Sequence, residues 1–238
     1  VAPSLVWDGT SRAPAEGDGS EGNPYLITDG AELSYSVINP ETDKYYKITN
    51  DIYLNDVLAS DLENPSVETW SSFFTPWYSA ANKSTGFCGD FDGNGHTIKN
   101  FYQNTWEMFG DYNSGYSGTP NHYKDAMGLF GYVNGGTVKN LTVENFSSDG
   151  EFTPTGVIAA YACNATFENI AITNCNPRVY NTGNGGIVGC VGWYAKEADL
   201  KTTFKNVTVD NSNKISALWG SYDVACGGIV GQYYPTSG

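Results

Sequence analysis

The sequence predicts an all-β fold, a right-handed parallel β-helix with a short N-terminal capping helix. Three observations carry that expectation. A word of the form Thr-Φ-x-Asn, with Φ apolar, recurs at 97–103 (TIKNFYQ), 137–143 (TVKNLTV), 166–172 (TFENIAI) and 203–209 (TFKNVTV). A glycine-bracketed apolar block precedes the last three copies, as GLFG (128–131), GVIA (156–159) and GGIVG (185–189), and GGIVG returns at 227–231. The residues in these words are Val, Ile, Thr and Phe, which favour strands, and no 3.6-residue period links them.

Gly128, Gly156, Gly186 and Gly228 mark units whose spacing runs from 28 to 42 residues. Self-similarity on that scale indicates a solenoid. Too little leucine for a leucine-rich repeat and too little Ala, Leu and Glu for helical repeats leaves a stack of parallel strands, one coil per repeat. Crossovers between parallel strands are right-handed in nearly all cases.

The word also predicts a bend. In TVKNLTV the apolar residues Val138 and Leu141 differ in parity, so one straight strand cannot turn both inward. The chain must turn at Lys139–Asn140, and Asn tolerates the left-handed backbone that such a corner needs. Asn100, Asn140, Asn169 and Asn206 are therefore expected to stack as a structural ladder, with amides bonded along the stack. The expected core is Leu129, Phe130, Val157, Ile158, Ile187, Val188, Ile229 and Val230, with the apolar residues of the Thr-Φ-x-Asn words.

Residues 1–20 read as an extended N-terminal segment and 21–238 as a single β-helix domain. Asp29 and Glu32 form a capping-box pattern, and Leu33 and Val37 lie four apart. A short amphipathic helix over about 30–38 is expected there, covering an end of the stack whose backbone would otherwise be unpaired. The last GGIVG has no Thr-Φ-x-Asn word after it, so the chain is expected to be truncated within a coil. The rest of a longer chain, C-terminal to 238, is then its expected partner.

GLFGYVNGGTVKNLTVENF (128–146) resembles the GLUG-type repeat of bacterial surface and adhesin-like proteins. GNPYLITDGAELSYSV (22–37), YYKITNDIYLND (45–56) and FCGDFDGNGHTIKNFY (87–102) look like the opening strand and cap, the next strands and the first full coil of such proteins. The resemblance covers about residues 20–238. It implies a β-helical module of an exported or surface-attached protein. A long aromatic stretch at 64–86 replaces the short link that the family usually has before its first full coil.

The net charge is −14, from 12 Lys and Arg against 26 Asp and Glu, which makes nucleic acid and anionic lipid surfaces poor partners. No run of 18 apolar residues is present, so no membrane insertion is expected. Composition rich in Gly, Tyr, Asn and Thr suits an extracellular or cell-surface bacterial protein. Five cysteines, at 88, 163, 175, 190 and 226, include no CxxC pair, and with only two histidines no metal site or cofactor is expected. Most of these cysteines read as small buried residues.

Enzyme chemistry finds little support. Arg12 and Arg178 are the only arginines, and Arg178 in CNPRVY reads as a loop residue. The least unlikely catalytic pair is Asp90 and Asp92 in GDFDGNG, which share parity; the DGNG that follows is a strong turn signal. No nucleophile elbow or phosphate loop is present. Binding is the stronger expectation, because solenoids place it in insertions. Three insertions are aromatic: 64–86, 104–126 and 192–202. Trp70, Trp77, Tyr78, Trp106, Tyr112 and Tyr116 are the candidate ligand contacts, for a glycan or a host surface protein. A polysaccharide-active β-helix enzyme and a purely structural stalk are the alternatives.

Overall fold

The chain folds as a right-handed parallel β-helix closed at one end by a helix. The structure, a computed structural model, describes residues 6–56, 77, 86–104, 126–150, 154–180, 182–192, 201–218 and 225–234. Along the chain run β1 (Tyr25–Ile27), α1 (Gly30–Ile38), β2 (Tyr45–Ile48), β3 (Ile52–Tyr53), β4 (Asp90–Asp92), β5 (Thr97–Lys99), β6 (Tyr102–Asn104) and β7 (Phe130–Asn134). They continue as β8 (Thr137–Glu144), β9 (Ser147–Asp149), β10 (Thr155–Gly156), β11 (Ala159–Cys163), β12 (Thr166–Thr173) and β13 (Arg178–Tyr180). The last are β14 (Gly183–Gly185), β15 (Val188–Val191), β16 (Thr203–Val209), β17 (Ser216–Leu218), β18 (Ala225–Gly227) and β19 (Val230–Tyr233).

Each strand pairs in parallel with its counterpart one coil away. The widest wall runs β1-β2-β4-β8-β12-β16, with β3 on β5 and β5 on β8. A second flank joins β6 to β9 and β13 to β17, linked by the bridge Ser147–Asn176. The remaining walls are β10-β14-β18 and β7-β11-β15-β19. One turn of the coil is thus β8, β9, β10, β11, and the next begins at β12.

The predicted corner is present. Asn140, Asn169 and Asn206 have φ of 53°, 54° and 52°, inside the left-handed region. The turn lets Val138 and Leu141 both face the core at 0% and 1% exposure, although their parity differs. The amides bond along the stack: Asn169 Nδ2 donates to Asn140 Oδ1 at 2.8 Å, and Asn206 Nδ2 to Asn169 Oδ1 at 3.0 Å.

Asn100 does not belong to that ladder. Thr97 pairs with Thr142, so TIKN aligns with TVEN at 142–145 rather than with TVKN at 137–140. The β8 and β12 segments each bend at two asparagines five residues apart, Asn140 and Asn145 in one and Asn169 and Asn174 in the other, and Asn100 (φ 59°) stands at the second of these corners. There it accepts from Asn145 Nδ2 at 3.0 Å and exchanges side chain–backbone bonds with Asn55. Beneath Asn140 the first full coil places Asp92, whose Oδ1 accepts from Asn140 Nδ2 at 3.0 Å.

The glycine block has a steric cause. Gly156, Gly185 and Gly227 are in register at the corner into the last wall. A Cβ there would lie 2.3, 1.9 and 1.9 Å from the carbonyl oxygens of Ala159, Val188 and Val230. Leu129, Phe130, Val157, Ile158, Ile187 and Val188 are buried as expected. Ile229 and Val230 are not fully buried: Ile229 is 39% exposed and Val230 half-buried, because no described strand follows their coil. Cys163, Cys175 and Cys190 are buried and form no disulfide, and burial pushes the Cys175 thiol up to about 12, so it stays neutral. Cys226 is exposed.

Helix α1 starts where Asp29 Oδ1 accepts from the amides of Ala31 and Glu32, both at 3.0 Å. Glu32 completes the cap differently from a capping box: its carboxylate accepts from the amides of Thr28 and Ala15. Leu33 and Val37 join Ile27 and Ile48 in one continuous core. The described part of the N-terminal segment lies along this cap, with Trp7 buried and its amide bonded to Tyr53 O at 2.9 Å.

Replacing Asn169 by Ala removes two ladder bonds and forces a Cβ-bearing residue without a side-chain acceptor into the left-handed region, and unfolding free energy should fall by about 2–3 kcal/mol. Asn169→Gly keeps the backbone freedom and should lose about 1 kcal/mol. Gly185→Ala should destabilise by about 2–3 kcal/mol through the carbonyl clash. Urea denaturation of the three variants checks the order.

Candidate functional site

The outward row of the widest wall is taken up by coil-to-coil contacts. Phe91 is buried, so Asp90 and Asp92 on either side of it both point outward, as their parity predicts. Asp90 accepts from Lys139 Nζ at 2.8 Å. Asp92 Oδ1 accepts from Asn94 N at 2.7 Å, closing the DGNG turn, as well as from Asn140. Burial opposes the charge on Lys139, yet the neighbouring Asp90, Asp92 and Glu168 hold its ammonium above the usual lysine range. Lys205 in turn bonds Glu168 at 2.5 Å. His96 sits beside the same wall with Nδ1 3.4 Å from Asp51 Oδ1. This row ties coils together, and it places no carboxylate pair across a cleft.

Of the aromatic candidates, Trp77 is described, and it is a core residue. Its side chain is 0% exposed, Nε1 donates to Leu129 O at 3.1 Å, and the ring meets Trp7 edge-on at 5.3 Å. It therefore cannot offer a face to a ligand. The Trp77 backbone lies beneath β6, as β6 lies beneath β9: its amide donates to Tyr102 O at 2.9 Å, while the indole points into the core. Trp70, Tyr78, Trp106, Tyr112 and Tyr116 lie outside the described residues.

Two of the three aromatic insertions leave the stack beside the second flank, whereas the third, 192–202, leaves it between β15 and β16. Residues 57–76 fall between the Asn55 corner and Trp77. Residues 105–125 follow β6, 151–153 follow β9, Asn181 follows β13, and 219–224 follow β17. All these segments join the stack beside the second flank.

That flank carries a polar group which the sequence did not single out. Arg178 opens β13 rather than lying in a loop, and Tyr180 shares its face two residues on. Arg178 Nη2 donates to Tyr180 Oη at 2.8 Å and lies 3.3 Å from Asp149 Oδ2 on the preceding coil. The guanidinium carbon stands 5.6 Å from the Tyr180 ring centroid, within cation–π range. Ser148 Oγ accepts from Arg178 N at 3.1 Å, which fixes the start of β13. Asp149 is nearly buried, and desolvation outweighs the Arg178 charge, so its carboxyl lies above the usual aspartate range. The group thus presents a half-exposed phenol and guanidinium backed by a carboxylate, a surface that can stack on a ring and bond hydroxyls. Asp149 and Arg178 are 29 positions apart, and only the coil register brings them together.

No family model matches the chain. Halomucin of Haloquadratum walsbyi is 29% identical to it over 189 residues, covering 78% of this chain and 2% of Halomucin. In structure the chain is similar to a proposed immunoglobulin A1 protease from Bacteroides ovatus, with a TM-score of 0.52 and 20% identity. That likeness covers 93% of this chain and 65% of the other. At this identity it shows the fold alone.

Because the folded-state carboxyl of Asp149 lies above its unfolded value of about 3.8, the folded chain holds a proton there that the unfolded chain releases. Its contribution to stability is full below that value and is lost as pH rises through the raised folded value. Asp149→Asn should remove this component. The difference in unfolding free energy between the two proteins, measured from pH 3 upward, should change across that interval and be flat at higher pH.

Proposed function

We propose that the chain is a non-catalytic, adhesin-like β-helical module of a secreted or cell-surface protein, and that its second flank contacts a glycan. One observation carries this reading: the aromatic segments 57–76 and 105–125 join the stack beside the flank that presents Arg178, Tyr180 and Asp149. A platform of aromatic rings with a few polar groups among them suits a sugar, whose ring stacks while its hydroxyls bond. The commitment of Asp90 and Asp92 to Lys139, Asn94 and Asn140 weighs against hydrolysis at that pair. Similarity to Halomucin supports a place at the cell surface, as does the resemblance to GLUG-type repeats.

A screen of the full chain against plant, mucin and microbial glycans, scored for binding and for cleavage, tests this. Binding without product release is expected, and the Arg178→Ala, Tyr180→Ala double variant should bind about tenfold more weakly while keeping its far-UV spectrum. Binding to a glycoprotein that survives enzymatic deglycosylation would move the contact to protein. Product release abolished by Asp92→Asn would overturn the non-catalytic reading.

A further inference from the structure

The outward column of the widest wall alternates in charge. In register it reads Lys47, Asp92, Lys139, Glu168, Lys205 along β2, β4, β8, β12 and β16. Lys139 stands in register between Asp92 and Glu168 and pairs with Asp90 at the start of β4, and Lys205 pairs with Glu168. The neighbouring column is directional: each asparagine donates Nδ2 to the oxygen before it, from Asn140 to Asp92, Asn169 to Asn140 and Asn206 to Asn169.

The two ends of the stack differ. At β1 the charge column stops on the neutral Leu26, whose amide donates to Glu16 O at 3.0 Å, and α1 buries Leu33 and Val37 against the core. At β16 the column stops on Lys205, with its side chain 60% exposed. The inner row there, Phe204, Val207 and Val209, is only partly buried, and Ile229 is 39% exposed. Among the described residues no strand pairs on the far side of β16, β17, β18 or β19.

We propose that this edge is a docking surface for one further parallel coil of the type Thr-Φ-Asp/Glu-Asn, with its carboxylate opposite Lys205 and its asparagine amide donating to Asn206 Oδ1. Such a coil continues both columns with the next sign and the next donor. It also buries the Phe204, Val207 and Val209 row and pairs the free backbone of β16. The chain's own β12, reading TFENIAIT, has that form. A second copy docked edge to edge would set Lys205 near its own equivalent, and the helix-covered end offers no strand.

The test lengthens the full chain after Tyr234 with a copy of residues 164–192, which brings TFENIAIT into register with β16. The alternate β16 amides that face away from β12 should then exchange with solvent at least about tenfold more slowly. With Glu168→Lys in the added copy, that protection should fall by about threefold, and Lys205→Glu in the host should reverse the preference. Unchanged exchange over 203–209, or no dependence on either charge, overturns the proposal. So does self-association of the unextended chain in sedimentation that protects the same amides, because the occupant would then be a second copy.

Discussion

Everything in this molecule depends on successive coils lying in one fixed register, and that register is set at the asparagine corners. A parallel ladder alone would tolerate a slip, since its backbone bonds recur at every second residue. The corners do not. Asn140, Asn169 and Asn206 each place a left-handed residue in the middle of a long strand segment, so a slipped coil would set a β-branched or charged residue in that conformation. Their amides then bond only when stacked directly. The register that satisfies them also sets Val138, Phe167 and Phe204 one above another inside, and alternates lysine with carboxylate outside. Backbone, core and surface therefore agree on a single alignment.

That agreement decides where function can reside. The outward side chains of the widest wall are engaged with the next coil, so substituting them disturbs the stack before it changes any surface. The corner between β8 and β9 is held short, because Asn145 and its counterparts fix both sides of it. The far end of the second flank is permissive: residues 181–182 join β13 to β14, whereas residues 105–126 separate β6 from Met127, which bridges to Thr155 of β10. Closing a longer loop costs only about 0.6 kcal/mol per doubling, so a rigid solenoid can carry segments of very different length at that point.

Much of the architecture is legible in the residues. The recurring words give the parallel stack, and the clash of parity between Val138 and Leu141 gives the bend at Asn140. Asp29, Leu33 and Val37 give the cap. The register of the first full coil is not legible, because Thr-Φ-x-Asn occurs twice per coil in TVKNLTVEN, and TIKN matches both halves. Trp77 is not legible for a related reason: a tryptophan in a polar, aromatic stretch looks the same whether it stacks on a ligand or fills the core. Its indole N–H donates to Leu129 O, 52 positions on in the chain, a contact that only the folded stack creates. Arg178 after a proline suggested a loop, whereas Pro177 simply precedes a strand whose first amide bonds Ser148.

The charge balance narrows what the second flank can bind. Acidic residues outnumber basic ones by 26 to 12, and several of the described bases are already paired: Arg12 with Asp29 and Glu32, Lys99 with Glu144, Lys139 with Asp90, and Lys205 with Glu168. Arg178 itself is held by Asp149, so its guanidinium brings little uncompensated positive charge to the surface. A polyanionic ligand would meet the repulsion of the whole molecule, and the Arg178 guanidinium on this flank is already neutralised by Asp149. A ligand bound through ring faces and hydroxyls meets no such barrier. Under the proposed glycan reading, the aromatic and amide-rich composition of the segments beside this flank would suit neutral sugars rather than sulfated or phosphorylated polymers.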